Sequence, residues 1–237
     1  MAWFFSETEI PSDIYVLEGE NQKHAKVLRL RAGEAVTVVT PGGEQCECVV
    51  AGENTLKIEE RKICRNEPDV FVTLYQALPK GDKMDYIVQK CVELGVGRIV
   101  PMISARCVSR PDEKSLAKKR ARWQKIALQA AMQSRRGLIP EVADCVTFAD
   151  AVQLTRENNL TVFFYELGGD PVSEIIKEKP ATVGIFIGSE GGFEPSEAEA
   201  VIKNGGRAAT LGKRILRAET APLAAMTIIM YQTGNFS

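Results

Sequence analysis

From residue 70 onward, short and almost wholly apolar runs alternate with segments of helical periodicity, and this alternation restricts the fold more than any other feature. Residues 70–78 (VFVTLYQAL) indicate a buried strand, and residues 82–94 a helix with Met84, Ile87 and Val88 on one face. Further strands are predicted at 98–103, 161–165, 183–187 and 208–211, and further helices at 114–136, 195–204 and 222–233. Apolar strands separated by helices are typical of a parallel sheet covered on both faces, so the sequence predicts an α/β domain.

The first third of the chain follows a different pattern. Between residues 14 and 65, β-branched and polar residues alternate, with turn signals at 41–43 (Pro-Gly-Gly) and 52–54 (Gly-Glu-Asn). This spacing predicts a small antiparallel barrel. Residues 67–69 (Glu-Pro-Asp) are predicted to be a linker, because proline disfavours the continuation of regular structure. We therefore expect two domains, at residues 1–68 and 70–237.

The net charge hides a difference between these two parts. Thirty basic and 31 acidic residues give a net charge of −1, which by itself argues against a nucleic-acid partner. Residues 1–70, however, hold 8 basic and 13 acidic groups, whereas residues 71–237 hold 22 and 18. Residues 98–136 alone hold 11 basic and 2 acidic groups. The charge pattern is therefore compatible with a partner that carries phosphates.

Several classes of protein are not expected from this sequence. Its 45% apolar and 26% charged residues are ordinary for a globular protein. The start of the chain lacks the pattern of a secretory leader, and no apolar run reaches bilayer length, so we expect a cytoplasmic protein without membrane attachment. Six cysteines without a CxxC pair, together with a single histidine, favour free thiols over a metal centre.

Within the basic region, SLAKKRARWQKIALQAAMQSRR is predicted to be an amphipathic helix with Trp123, Ile126, Ala127 and Ala130 facing the core. The cations left on its solvent side are Lys118, Lys119, Arg122, Lys125 and Arg136. Such a stripe suits phosphate binding, and a solvated helix face explains it equally well.

A smaller basic cluster lies in HAKVLRLRAGE and comprises His24, Lys26, Arg29 and Arg31. Taken alone, this segment favours a strand with alternating exposed cations over a binding surface.

Two polar loops are predicted between strands and helices. GSEGGF (188–193) follows the apolar strand VGIFI, and it matches neither a Walker loop nor GxGxxG. LGKRILRAETAP (211–222) also follows a short strand. Because the carboxyl ends of parallel strands meet at one sheet edge, the two loops predict a ligand crevice. Arg217 and Glu219, in the second loop, form either a structural ion pair or part of that site.

In order along the chain, these motifs resemble the RsmE family of SPOUT RNA methyltransferases. The resemblance rests first on GSEGGF and LGKRILRAETA. It extends to KGDKM with VQKCVELGV, to WQKIALQAAMQ with Arg135 and Pro140, and to His24 with VLR. Two departures are visible: Ser189 stands where proline is common in the family, and the start MAWFF lacks an arginine often found there.

The resemblance implies an N-terminal PUA-like β-barrel and a C-terminal SPOUT α/β domain with a parallel sheet and a deep trefoil knot. It further implies a homodimer that uses S-adenosylmethionine to methylate a specific uridine at its imide nitrogen. The product would be 3-methyluridine in 16S ribosomal RNA of the small ribosomal subunit, with no metal and no membrane involved.

Site residues are carried over from the family by position. The implied cofactor-binding residues are Ile187, Gly188, Glu190, Gly191, Gly192, Leu211, Gly212, Ile215, Leu216, Arg217 and Thr220. The predicted RNA contacts, which combine the two basic clusters described above with further cations of the matched motifs and the basic region, are His24, Lys26, Arg29, Arg31, Lys80, Lys83, Arg106, Lys118, Lys119, Arg122, Arg135 and Arg136.

The catalytic candidates are Arg217 and Glu219. A uridine imide must lose its proton as it attacks, and a cation near its carbonyl oxygens stabilises the developing charge, a role suited to Arg217. Glu219 either accepts the proton or orients Arg217, and the orienting role is slightly favoured. Two rival functions stay open: a non-catalytic RNA-binding protein, and an enzyme of the same fold that modifies transfer RNA or another ribosomal nucleotide.

Overall fold

A computed structural model describes residues 1–236, which divide into two compact units. The first comprises Met1–Glu67 together with Ala131–Ile139, and the second comprises Pro68–Ala130 together with the residues from Pro140 onward. Residues 131–139 thus group with the N-terminal part of the chain, although they lie far beyond it in sequence.

The first unit is a five-stranded sheet with one helix. Its elements are β1 (Ala2–Phe5), β2 (Ile14–Val16), α1 (Gly19–Leu28), β3 (Ala35–Val39), β4 (Glu44–Gly52) and β5 (Thr55–Ile63). The strand order is β1–β3–β4–β5–β2. The pairs between residues 14 and 63 are antiparallel, as the turn spacing predicts, whereas β1 lies parallel to β3. Phe4, Val36, Val38 and Leu56 are fully buried in its core.

Helix α1 occupies the segment in which alternating cations favoured a strand, so that interpretation was wrong. Ala25 is the one residue of α1 that is buried, so the sequence lacks the apolar stripe from which a helix is predicted. Arg29 ends the helix in the left-handed conformation, with φ 54°, and its N–H donates to the carbonyl of Lys26 at 3.1 Å.

The second unit alternates strands and helices. Its elements are β6 (Phe71–Ala77), α2 (Lys83–Glu93), β7 (Arg98–Ile103), α3 (Glu113–Gln133, whose last three residues group with the first unit), β8 (Glu141–Val142), β9 (Val146–Thr147), α4 (Phe148–Leu154), β10 (Leu160–Phe164), α5 (Val172–Ile175), β11 (Thr182–Ile187), α6 (Pro195–Lys203), β12 (Arg207–Ala209) and α7 (Ala221–Gln232). The short elements β8, β9, α4 and α5 are absent from the sequence prediction, because each is too brief for a periodic signal.

A single parallel sheet forms the centre of the second unit, in the order β12–β10–β11–β6–β7–β8, with β9 also paired to β7. The prediction of a parallel sheet is confirmed. Leu74, Ile99, Phe163 and Ile185 are fully buried on its central strands. The trefoil knot remains a prediction, since strand order alone does not describe how the chain is threaded.

The position of Arg136 in the structure contradicts the prediction that it lies on the solvent side of a helix. Helix α3 ends at Gln133 and Arg135 turns the chain with φ 58°, so the helical periodicity no longer applies at Arg136. The Arg136 side chain is buried against the carboxylate of Glu67, and its carbonyl accepts a hydrogen bond from Trp3 Nε1 at 3.0 Å. We therefore withdraw Arg136 from the predicted RNA contacts.

Within residues 1–236, no helix is both long and apolar enough to cross a bilayer, and no three His, Cys, Asp or Glu side chains group as metal ligands. All six cysteines are free thiols. Burial raises the pKa of Cys48 to about 12 and that of Cys145 to about 11, so both stay protonated near neutral pH.

Candidate active site

Three loops meet where β10, β11 and β12 end. Strand β10 lies between the other two and all three are parallel, so their carboxyl ends point to the same edge of the sheet. A cavity of about 680 Å³ opens at this edge and is lined by residues 164–167, 187–192, 210–212 and 214–218. Its volume lies within the range of small-molecule sites, roughly 300–1,000 Å³.

The loop after β11 is a tight turn that requires glycine at Gly192. The Gly192 N–H donates to the carbonyl of Ser189 at 3.0 Å, and Gly192 has φ 65°. A Cβ atom at this position would overlap the carboxylate of Glu166. That carboxylate also accepts the N–H of Phe193 at 3.0 Å, so the loop after β10 supports the loop after β11.

Arg106 holds the outer side of the same turn. Its Nε donates to Glu194 at 2.8 Å and its Nη1 to the carbonyl of Gly191 at 3.2 Å, while Glu166 lies 3.8 Å from Nη1. The hydrogen bond from Arg106 lowers the pKa of Glu194, and the same bond raises the pKa of Arg106. The side chain of Arg106 is therefore committed to ion pairs at the cavity wall.

Glu190, within the turn, reaches helix α2. Its carboxylate accepts the N–H of Lys80 at 3.2 Å and the ammonium of Lys83 at 2.6 Å. Burial alone would raise the pKa of Glu190, but the hydrogen bonds from Lys83 and the backbone bring it below the ordinary value. Lys83 also lies 3.3 Å from Glu219, in the loop after β12.

That third loop ends in a turn that starts helix α7. The N–H groups of Thr220 and Ala221 both donate to the carbonyl of Arg217 at 2.9 Å, and Ala218 is buried. The side chain of Arg217 is exposed, lines the cavity and forms no ion pair within residues 1–236. The structural ion pair between Arg217 and Glu219 is therefore not formed, because Glu219 turns to Lys83 instead.

Comparison with known proteins identifies the family. A model described as the RNA methyltransferase domain matches residues 65–230, and one described as the RNA methyltransferase PUA domain matches residues 17–60. Ribosomal RNA small subunit methyltransferase E of Bacillus subtilis (strain 168) is 34% identical over 231 residues, covering 92% of this chain and 90% of the relative. The protein of that name from Aquifex aeolicus (strain VF5) is 32% identical over 231 residues, covering 96% and 98%.

The chain belongs to the ribosomal RNA small subunit methyltransferase E family. A crystal structure of the methyltransferase E from Neisseria gonorrhoeae, bound to S-adenosyl methionine, is 32% identical, has a TM-score of 0.88 and covers 98% of this chain and 97% of that one. A putative methyltransferase from Legionella pneumophila, in complex with the same cofactor, is 27% identical, with a TM-score of 0.87 and coverage of 97% of each chain. Membership confirms the PUA-like first domain and the SPOUT methyltransferase fold of the second.

The residues carried over from the methyltransferase E pattern can now be located. Those that line the cavity are Ile187, Gly188, Glu190, Gly191, Gly192, Leu211, Gly212, Ile215, Leu216 and Arg217. Thr220 does not line it and instead occupies the N-cap position of α7. Their contacts with a cofactor stay predictions.

The loop after β10 was not predicted as part of the site, although Tyr165, Glu166 and Leu167 line the cavity. The strand-end rule that found the other two loops applies equally to YELGGD, which directly follows the buried strand TVFF. Lys83 and Arg106 were predicted to contact RNA, whereas in the structure both line the cavity and form ion pairs with its loops.

The other predicted RNA contacts differ in their exposure to solvent and in the contacts they already make. Lys26, Arg29 and Arg31 are exposed on or just after α1, and His24 lies beside the ring of Phe4. On α3, Lys118 is exposed, Lys119 is half-buried and Arg122 pairs with Asp85. Lys80 and Arg135 are exposed.

Proposed function

We propose that this chain transfers a methyl group from S-adenosylmethionine to the imide nitrogen of one uridine in 16S ribosomal RNA of the small ribosomal subunit, giving 3-methyluridine. The observation that carries the proposal is the convergence of the two family loops, 188–192 and 211–218, on one cavity. Family membership supports the reaction class, and the relatives named for small-subunit RNA support the substrate.

The cavity suits a ligand of mixed polarity such as S-adenosylmethionine. Ile187, Leu211 and Leu216 provide apolar lining for a nucleobase. The hydroxyl of Ser189 lies in the same wall, is buried and has no hydrogen-bond partner within residues 1–236, so it is available to a ligand. Glycines at 188, 191 and 192 let this wall pack closely against Phe193, Arg106 and Glu166.

The residues that would hold the cofactor are therefore the backbone of 187–192 and 211–216, with the Ser189 hydroxyl as an additional polar contact. When bound, S-adenosylmethionine supplies a methyl group on a positively charged sulfur. The chain itself must position the uridine and stabilise the negative charge that develops as the imide proton leaves.

Arg217 is the group best suited to that charge. A guanidinium stays protonated at any physiological pH, and this one lines the cavity without an ion-pair partner in the described chain. It can therefore donate hydrogen bonds to the uridine carbonyl oxygens. Leu167 and Ile215, both largely exposed apolar side chains at the cavity wall, would exclude water once a nucleotide covers them.

RNA binding is supported separately in each unit. Lys118 and Lys125 are exposed on α3, and Lys26 and Arg31 are exposed in the PUA-like unit. Lysine and arginine side chains of this kind contact phosphates and give salt-dependent affinity without base specificity. We therefore propose that these side chains position the ribosomal RNA and that the enzyme acts in the cytoplasm, where ribosomes are.

We also propose a homodimer, and helix α7 supports it. This helix carries no charged residue, and its buried side includes Ala225, Met226 and Ile229. Its opposite side carries Ile228, which is half-buried, and Tyr231, which is 69% exposed. An outer side that carries no charge, with Ile228 and Tyr231 beside the exposed Thr227, suits a protein partner, and a second copy of this helix would supply one.

The test is methylation by the purified chain. Small ribosomal subunits, naked 16S ribosomal RNA and transfer RNA are incubated with isotopically labelled S-adenosylmethionine, and the nucleosides are analysed by mass spectrometry. We expect labelled 3-methyluridine at one site in the ribosomal RNA. A chain that binds RNA but gives no calorimetric heat with S-adenosylmethionine would instead be the non-catalytic binder, and label in transfer RNA would identify the other rival.

A further inference from the structure

Lys83 stands at an electrostatically unfavourable position for a cation. It is the first residue of helix α2, where the helix dipole presents partial positive charge. Its ammonium lies between two carboxylates, 2.6 Å from Glu190 and 3.3 Å from Glu219. The hydrogen bond to Glu190 and the nearby carboxylate of Glu219 raise the pKa of Lys83 above its ordinary value, so it stays charged.

The two carboxylates belong to two different cavity loops. Glu190 lies in the turn after β11, and Glu219 lies in the turn that leads into α7. The side chains of Lys83, Glu190 and Glu219 are 34%, 27% and 22% exposed, so this bridge is shielded more than an ordinary surface ion pair. The Oε2 atom of Glu219 is buried and accepts no well-aligned hydrogen bond from residues 1–236, which leaves the Lys83 ammonium as its counter-charge.

Fixing Glu219 also fixes the backbone that carries Arg217. The carbonyl of Arg217 accepts the N–H groups of both Thr220 and Ala221, and Ala218 between Arg217 and Glu219 is buried. The turn is therefore tied at its start by backbone bonds and at Glu219 by Lys83. Release of Glu219 would let the turn shift, and a misplacement of about 1 Å at a reacting group can cost about 100-fold in rate.

We propose that Lys83 is a positioning residue for methyl transfer: by bridging Glu190 and Glu219 it sets the turn that presents Arg217 to the uridine. Glu219 then serves as the anchor of this turn rather than as the acceptor of the uridine proton. The inference rests on the function proposed above and assigns Lys83 a role other than contact with RNA phosphates.

The experiment compares Lys83→Met, Glu219→Gln, the double variant and Lys83→Arg with the wild-type chain. We expect each single variant to lower kcat about 100-fold, and the double variant to be no worse than either, because both remove the same bridge. Lys83→Arg retains the charge and should recover most of kcat. Calorimetry should show weaker binding of S-adenosylmethionine to Lys83→Met, because Glu190 lies in a cofactor loop, whereas affinity for RNA stays within about twofold of wild type.

Several outcomes would overturn the role of Lys83. If it contacts a phosphate, Lys83→Met will weaken RNA binding and reduce the salt dependence by about one ion, with kcat unchanged. If the losses of kcat in Lys83→Met and Glu219→Gln simply add in the double variant, the two residues do not act through a common bridge. Thermal unfolding checks that each variant is folded. If Lys83→Met does not fold, the test is made with Lys83→Arg and Glu219→Gln, which keep size and polarity.

The wild-type chain distinguishes this inference from the function on which it rests. A wild-type protein that neither binds S-adenosylmethionine nor methylates ribosomal RNA overturns both. A wild-type protein that does both, alongside variants that match it, overturns only the role of Lys83.

Discussion

The guanidinium of Arg136 and the carboxylate of Glu67 form a two-point ion pair within the first unit: Nη2 lies 2.5 Å from one carboxylate oxygen and Nε lies 3.1 Å from the other. Arg136 is 3% exposed, so this pair is shielded from solvent. The same carboxylate accepts the N–H of Gly137 at 2.7 Å. Glu67 therefore attaches residues 136 and 137 to the end of the N-terminal segment of its own unit.

We expect Arg136→Met to lower the free energy of unfolding by about 3 kcal/mol, because Glu67 then loses its counter-charge in a partly buried site. Urea denaturation measures this. Lys118→Met, at an exposed position, is the control and should change stability by less than about 0.5 kcal/mol while weakening RNA binding. Unchanged stability with reduced RNA affinity in Arg136→Met would return Arg136 to the RNA surface.

Arg217→Ala should lower kcat by about 100- to 1,000-fold, as expected when a group that stabilises transition-state charge is removed. Binding of S-adenosylmethionine, measured by calorimetry, should be largely preserved, since the loop backbone carries the cofactor contacts. Lys213→Ala removes an exposed cation of the same loop that does not line the cavity, and it should leave kcat unaltered. Near-normal turnover in Arg217→Ala would exclude the assigned role.

Gly192→Ala should weaken binding of S-adenosylmethionine by at least about tenfold, since the loop must move away from Glu166 and leave φ 65°. Gly205→Ala is a matched control: its φ is 88°, but nothing lies within 4 Å of the added Cβ. It should cost about 1 kcal/mol of stability and leave binding as it was. Equal affinities for S-adenosylmethionine in the two variants would show that glycine at position 192 matters only for backbone conformation and not for cofactor binding.

Stability should depend on pH through Glu190. Its pKa is lower in the folded chain than its ordinary value, so it stabilises the fold above about pH 4.3, and this contribution is lost as pH falls through the lower folded value. Glu190→Gln should therefore reduce the free energy of unfolding by about 1 kcal/mol at pH 7, and the difference should disappear in acid. Glu178→Gln, which alters an exposed carboxylate, is the control and should change the free energy of unfolding by less than about 0.5 kcal/mol. A difference independent of pH would contradict the assignment.

Tyr231→Lys should shift the chain from dimer toward monomer by introducing charge on the open side of α7. Sedimentation velocity at several concentrations measures the shift. Ile202→Lys places the same charge at another exposed apolar position, on α6, and should leave the association state as in wild type. Monomer in both variants would point to a general effect of charge, and dimer in both would remove α7 from the interface.

Much of the second unit could be predicted because its signal is local. Strand β6, predicted at 70–78, runs from Phe71 to Ala77, and helix α2 buries Met84, Ile87 and Val88 as its periodicity indicates. Helix α1 gave no such signal because it buries Ala25 alone. A helix that packs through one small residue looks, in sequence, like any run of polar residues.

The candidate site divides in the same way. The loops at 188–193 and 211–222 could be predicted from the order of residues in the sequence. The ion-pair partner of Glu219 could not be predicted in this way. Glu219 lies two residues from Arg217 and yet pairs with Lys83, which is distant in sequence and close only in the folded chain. Sequence specifies which charges exist, and tertiary packing decides which of them meet.

The cavity loop that follows β12 is held in the sheet by a short edge strand. This strand has three residues, lies at the edge of the sheet and pairs with β10, with one further bridge between Ala209 and Asp170, and it leads into the loop that carries Leu211 to Arg217. Hydrogen exchange in proteins is fastest where such short edge segments detach without disrupting the rest. We expect this half of the cavity to open more readily than the half formed by the loop after β11, and a ligand bound across all three loops would slow that opening.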